Sequence, residues 1–463
     1  MGKINIDGGV KISLFILLIS QFFFLNGIYL VLAMICLYGG LYYLQQPYKS
    51  SVFTIMFFYH FLQIVAGIWQ ATYLGKEIDY RSGNMGLATI ASLIGLMAMF
   101  APIIYYQNKL PNISLATLKN HANKMSLNKT FYAYVIAFLI SGALNPIRFL
   151  LPGYTQIIIT LVNLKWFFFL LFGYQSVLKG KRKKELYVFI ALEFFLGFYS
   201  FFSEFKTVLF FVVVIYITLF RNFSFKKMII GSIISIFVFF GATLWTTIKV
   251  EYRFFLNRGS SSQNVEVSQN EALSKLYEIT NSQGKGVTTS ATEKFLDRLQ
   301  ATYHLAKTMD RVPDIISYQY GKNWGETFAF VFTPRLFNPD KGELNTSEKA
   351  SKYTGIRYAG VLQGTSFSLG YFGDCYIDFG IFGMMVALFL IGLLFGGTYF
   401  YFLKNSSPNF IFNYSVVCAL FMKFFALEMD SIFFIGGFFT DLLMYFFLSK
   451  FFFPWLYRTL LDK

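Results

Sequence analysis

The stretch YIDFGIFGMMVALFLIGLLFGGTYFYFL, residues 376–403, carries one charge, Asp378 at its entry. It exceeds the roughly 20 apolar residues with which a helix crosses a bilayer. Working outward, comparable runs precede it near residues 12–24, 26–46, 50–72, 85–107, 129–148, 153–177, 185–201, 205–220 and 227–248, and follow it near 408–427 and 431–455. The expectation is an all-α, polytopic bundle of about twelve spans, several short or tilted. The first two runs also read as one long helix.

Composition points the same way. Of 463 residues, 56% are hydrophobic, with 60 Phe and 31 Tyr among them, and only 14% are charged, against about 25% in soluble chains. One aqueous core cannot hide so many rings, whereas lipid accepts them on helix exteriors. Cys36, Cys375 and Cys418 are spaced too widely for a disulfide framework or a zinc cage. The run after MGKINIDGGVK lacks a small-residue cleavage site and reads as an uncleaved anchor.

The net charge is +16, yet residues 249–363 hold 15 basic and 12 acidic side chains. Most of the excess therefore lies in and between the apolar runs, where topology rather than nucleic acid accounts for it. Lys109, Lys119, Lys124 and Lys129, then Lys179 to Lys184, then Arg221, Lys226 and Lys227 fall on one side by span parity, with both termini. That side is expected to be cytoplasmic. Three regions follow: an N-terminal bundle of about nine spans (1–248), one large extracytoplasmic loop (249–363), and the last spans (364–463).

Within the loop, residues 271–279 suggest a helical patch. EKFLDRLQATYHLAKTMDRVP from Glu293 spaces Phe295, Leu299, Thr302 and Ala306 as one amphipathic helix lying on the membrane's outer surface and ending at Pro313. TPRLFNPDKG (333–342) predicts a rigid, turn-rich loop.

The cations Arg253, Arg258, Arg298, Arg311, Arg335, Lys341 and Arg357 gather on the side where topology requires none. Guanidinium forks suit phosphate oxygens, although any of these groups can instead pair with neighbouring acids or headgroups. Arg335, fixed behind Pro334, is the strongest candidate. In TSFSLGYFGDCYIDFG (365–380), Asp374 and Asp378 share a helical face with Tyr371 one turn earlier, and Tyr376 lies beside them. Carboxylates entering lipid need a polar cavity or a basic partner. Asp374 is assigned to accept a proton or orient a sugar hydroxyl, and Asp378 to hold an arginine; a purely structural pair is the alternative. Glu204 and Lys206 in FFSEFK either cap two tightly joined helices or put Lys206 into the arginine pocket. His304 can serve as a general base near neutral pH or be an ordinary surface residue. Lys165, Glu193 and Lys423 are intramembrane ionisable groups expected to pair inside the bundle, and Arg148 is expected to snorkel. No metal motif or P-loop appears, and no cofactor is expected.

FFSEFK (201–206), WTTIKVEYR (245–253), DRLQ (297–300), DRVP (310–313), TPRLFNPDKG, YTGI (353–356) and TSFSLGYFGDCYIDFG, set among many spans, resemble the O-antigen polymerase and ligase group of bacterial envelope proteins. The ligase-type outer-loop histidine has no counterpart here beyond His304. The resemblance implies a metal-independent glycosyltransferase in the bacterial cytoplasmic membrane that moves a growing glycan from a polyprenyl diphosphate onto the next lipid-linked repeat. Arg298 and Arg335 would then neutralise the diphosphate, with Asp374 or His304 activating the acceptor hydroxyl. Implied partners are lipid-linked oligosaccharide, membrane lipids and other polysaccharide-assembly proteins. A flippase or other transporter, and a non-catalytic scaffold, are the competing readings.

Overall fold

The computed structural model describes residues 5–199, 205–219, 221–260, 265–283, 289–333, 338, 345–359 and 366–462. Helices α1 (Gly8–Ser20), α2 (Gly27–Leu44), α3 (Val52–Tyr73), α4 (Met85–Asn108), α5 (Leu115–Asn123), α6 (Leu127–Leu144), α7 (Ile147–Leu150), α8 (Thr155–Lys179), α9 (Lys183–Phe198), α10 (Phe205–Thr218) and α11 (Phe225–Leu256) precede the polar insert. It contains α12 (Gln269–Gln283), α13 (Thr289–Leu299), α14 (Thr302–Met309), α15 (Lys322–Val331) and α16 (Thr346–Thr354). After it come α17 (Gly370–Asn405), α18 (Phe410–Phe421), α19 (Ser431–Phe447) and α20 (Phe453–Leu460). Two short parallel strands, β1 (Asn5–Ile6) and β2 (Asn222–Phe223), join the start of the chain to the α10–α11 connection.

Among the described residues, eight helical stretches are long and apolar enough to cross a membrane: α2, α3, α4, α6, α8, α11, α17 and the run from α19 through α20. Hydrocarbon offers backbone groups no water, and a helix satisfies them within its own segment. A helix occurs at each of the twelve expected positions, but α1, α9, α10 and α18 fall short of full length. At 1.5 Å per residue, the 14 residues of α10 rise only about 21 Å.

The seam between α4 and α17 is made by missing side chains. A Cβ on Gly392 would stand 1.9 Å from the Met99 carbonyl oxygen, and one on Gly396 would press on Tyr106 and the backbone at Pro102 and Ile103. Gly392 and Gly396, four residues apart on one helix face, thus bring two backbones together within the chain. Higher up, α17 breaks at Gly380, whose φ of 67° suits glycine. The break frees the Ile377 and Asp378 carbonyls, which accept instead from Gln319 N and Tyr320 N, both at 3.0 Å. Residues 370–379 therefore form a separate short helix above the spanning part.

The connections sort to two ends. At one, Ser126 N donates to Leu460 O at 2.8 Å, Lys179 Nζ to Met125 O at 2.7 Å and Asn409 Nδ2 to His121 O at 2.9 Å. Both extremities of the described chain meet here with the basic connections. The α3–α4 connection, the start of α10, the insert and the α18–α19 connection meet at the other end.

One expectation for the insert fails. The residues from Glu293 form two helices, α13 and α14, parted where Ala301 N donates to Gln63 O at 3.0 Å. Thr302, Leu305, Ala306, Thr308 and Met309 are buried, and α14 packs on α3, α4 and α17. The apolar face is spent on the bundle, not on lipid.

Candidate functional site

Where the insert meets the bundle, Asn345 caps α16, its Oδ1 accepting from Glu348 N at 3.1 Å. One residue on, Lys349 Nζ reaches Asp374 at 3.0 Å and Asp430 at 2.6 Å. Asp374 also accepts from Ser431 N at 3.1 Å, and Asp430 caps α19 by accepting from Ile432 N at 3.0 Å. Both carboxylates are fully buried. Burial works against the Lys349 charge, but Asp374 and Asp430 outweigh it and hold its pKa above the ordinary value. This is a structural ion knot. Asp374, assigned from sequence to meet substrate, is committed to Lys349 and the start of α19.

The other residues of that motif are also occupied. Asp378 accepts from Asn323 N at 3.3 Å, Asn323 Nδ2 at 2.8 Å and Trp324 N at 2.9 Å. It caps α15 rather than holding an arginine, because a helix N-terminus supplies the donors and positive field that a buried carboxylate requires. Tyr371 bonds His60 Nε2 at 2.6 Å, and the Tyr376 hydroxyl donates to Val312 O at 2.8 Å.

His304 is half-buried. Its Nδ1 lies 2.7 Å from the Tyr358 hydroxyl, and its ring centroid is 4.5 Å from that of Phe367. Burial first, and then the Arg81 charge, push its pKa down to about 4. The imidazole is therefore neutral near pH 7 and weakly basic, which removes the reason for choosing it as general base. Arg81 pairs with Asp297 and stacks over Tyr303, 4.1 Å from its centroid.

The expected cations are spread over the insert end. Arg298 is exposed on α13, Arg357 is exposed beyond α16, Arg253 is half-buried in the last turn of α11, Arg258 is exposed just past it, and Arg311 lies against Gly355. Arg335, Lys341 and Glu204 lie outside the described residues. Lys206 is exposed in the first turn of α10 and faces Glu428, a residue that sequence reasoning passed over.

Glu428 lies in the α18–α19 connection. Gln63 holds it from α3: its Oε1 accepts from Leu427 N at 2.8 Å, and its Nε2 donates to the Glu428 carboxylate. Glu428 is open to solvent, yet desolvation raises its pKa while Lys206 and Gln63 act to lower it. The α13–α14 junction reaches the same glutamine, Ala301 N donating to Gln63 O. A carboxylate of raised pKa, open to water and faced by a lysine, can exchange a proton beside a bound anion. The signal was present in sequence: ALEMDS puts two acids between apolar runs, where each requires a partner.

Within the bundle, Lys165 Nζ meets Glu193 at 2.8 Å, and Glu193 accepts from the Tyr134 hydroxyl at 3.2 Å. Lys423 pairs with Asp441, which accepts from Thr160 Oγ1 at 2.6 Å. The expected pairing inside the bundle is therefore present. Among the described residues, no three His, Cys, Asp or Glu side chains are placed to hold a metal ion.

The helices and their buried charge pairs define an all-helical chain suited to repeated membrane crossing. Residues 50–429 match the profile of the domain of unknown function DUF8712, and the chain belongs to that family. Neither a curated protein nor a solved structure matches it. The matched region contains Gln63, Lys206, Lys349, Asp374 and Glu428.

Proposed function

We propose that this chain is a metal-independent glycosyltransferase of the bacterial cytoplasmic membrane, crossing it about twelve times with both termini inside. It polymerises oligosaccharide repeats carried on polyprenyl diphosphate at the outer face. The observation that carries this reading is the solvent-open Glu428, held by Gln63 and faced by Lys206. An acceptor hydroxyl oxygen attacks the anomeric carbon of the donor glycan. The bond from that carbon to the diphosphate oxygen breaks, and the diphosphate leaves with the electron pair. Glu428 takes the hydroxyl proton, replacing Asp374 and His304 in that role. Lys206, with Arg298 and Arg335, offsets the charge on the leaving group. The test is incubation of the purified protein with a polyprenyl-diphosphate oligosaccharide. Glycan ladders are expected from the parent and lost in Glu428→Gln, with unchanged elution of the folded protein. Lys206→Met, where residual activity permits, moves the acid limb of the pH profile upward, because Lys206 lowers the Glu428 pKa. Undiminished ladders from Glu428→Gln sink the mechanism.

Transport is the second reading, favoured by the pairs Lys165–Glu193 and Lys423–Asp441 within the bundle. It predicts protein-dependent movement of a fluorescent lipid-linked sugar across liposomes that Lys423→Met abolishes and Glu428→Gln leaves intact.

A further inference from the structure

The opposite end of the bundle holds a second site. A cavity of about 270 Å³ opens there between the ends of α4 and α17 and the start of α18, with Lys49, Leu110, Pro111, Lys404, Ser407 and Tyr414 in its lining. Lys49 precedes α3 and is only 3% exposed. Its ammonium donates to Gln107 O at 2.9 Å and Leu110 O at 3.0 Å. That contact caps the C-terminal end of α4, where carbonyls lack helical partners. Capping uses two of the three N–H donors and the helix end offsets only about half a charge. Among the described residues, Lys49 forms no ion pair, and burial pulls its pKa down to about 8.

The rest of the lining is nearly self-contained. Ser407 Oγ donates to Asn413 Oδ1 at 2.9 Å, Asn413 Nδ2 to Leu403 O at 2.8 Å, and the Tyr414 hydroxyl to Tyr48 O at 2.7 Å. Lys404 is exposed at the mouth, its Nζ 4.2 Å from the Phe400 ring centroid. Among the described residues, no carboxylate lines the cavity. Two lysines, one sunk and one at the rim, thus stand over a headgroup-sized space between apolar helices. Basic pockets of this kind between spans take phosphate-bearing headgroups.

We infer that this cavity binds the phosphate of an anionic membrane lipid or of a small phosphate ester, with Lys49 and Lys404 as its cationic ligands. The site lies at the end remote from Glu428 and stands independently of the glycosyl-transfer reading.

The test uses full-length protein purified in neutral detergent, with thermal stability and native mass spectrometry as readouts. The probes are phosphatidylglycerol, phosphatidylcholine and glycerol 3-phosphate. Saturable stabilisation and a retained adduct are expected with phosphatidylglycerol, and neither with phosphatidylcholine. Lys404→Ala weakens the binding about tenfold, the effect of losing one charged contact, and Lys49→Met weakens it at least as much. Lys109→Ala, a neighbouring cation outside the lining, leaves it unchanged. Saturation by glycerol 3-phosphate as well assigns soluble phosphate esters to the same site. If Lys49→Met fails to fold, Lys404→Ala still decides. Lack of stabilisation by either phosphate probe, or equal binding by the parent and Lys404→Ala, overturns the inference.

Discussion

The Lys349 ammonium sits 3.0 Å from the fully buried carboxylate of Asp374, joining a helix of the insert to the broken entry of α17. Asp430 completes the knot and ties in α19. One lysine thereby fastens the insert to two membrane helices. Lys349→Met strands two carboxylates without their cation, and breaking a buried pair in this way costs about 3–5 kcal/mol. The parent should outlast the variant on heating in detergent, and Lys349→Met/Asp374→Asn/Asp430→Asn should recover part of the loss. Because the folded pKa of Lys349 is raised, its contribution is fully present below the unfolded value of about 10.4 and disappears as pH rises through the folded value. A Lys349→Met protein as heat-resistant as the parent removes the knot from the account of stability.

His304 supplies an acid-side signature of opposite sense. Its folded pKa, pushed down to about 4, lies below the ordinary value of 6.5, so the folded state binds that proton less readily than the unfolded chain. Its contribution is complete above pH 6.5 and is lost as pH falls through 6.5 towards 4, at a limiting slope of roughly 1.4 kcal/mol per pH unit. The difference in melting temperature between the parent and His304→Gln should therefore narrow, or reverse, from pH 7.5 to pH 5. Equal pH slopes for the two proteins would contradict the buried, neutral imidazole. On the proposed mechanism, which gives the proton-accepting role to Glu428, glycan ladders should survive His304→Gln.

The α4–α17 seam makes a sharper demand. A Cβ at Gly392 would lie 1.9 Å from a backbone oxygen, which cannot swing aside, whereas one at Gly397 would meet only the end of the Tyr106 side chain, its hydroxyl at 3.8 Å. Gly392→Ala should cut the yield of monodisperse protein several-fold by forcing the helices apart, and Gly397→Ala should leave it unchanged. Fluorescence-detected size exclusion of both variants reads this directly. A normal Gly392→Ala profile would mean that the seam is looser than described.

Hydrophobic run length located the helices because a bilayer imposes the same requirement on every span, but it overstated the short ones. An apolar run ends where polarity begins, while a helix ends where its backbone turns: α1 ends at Ser20 although FFFL, two residues on, continues the apolar character. The insert misled in another way. The apolar spacing of Phe295, Leu299, Thr302 and Ala306 marks a buried face, and periodicity does not say whether lipid or protein covers it. The site was only half legible for a related reason. Asp374 and Asp378 stood out as costly carboxylates, and both are neutralised by partners, Lys349 and the start of α15, that looked like ordinary solvated sequence. Gln63 was hidden inside a span. Its role depends on the α18–α19 connection folding back over α3, which no local pattern encodes.

Orientation can be read without knowing the activity. Cys36, Cys375 and Cys418 are all buried, so the parent should be nearly silent to a membrane-impermeant maleimide, and a single introduced cysteine reports its own side. Asn281 is exposed on α12 at the insert end, and Asn112 is exposed between α4 and α5 at the end that carries the basic connections. The excess of lysine and arginine at the second end favours retaining it in the cytoplasm. In intact cells Asn281→Cys should label and Asn112→Cys should not; after permeabilisation both should label. Labelling of Asn112→Cys alone in intact cells inverts the chain in the membrane. That result would put Glu428 on the cytoplasmic side and remove the proposed reaction from the outer face.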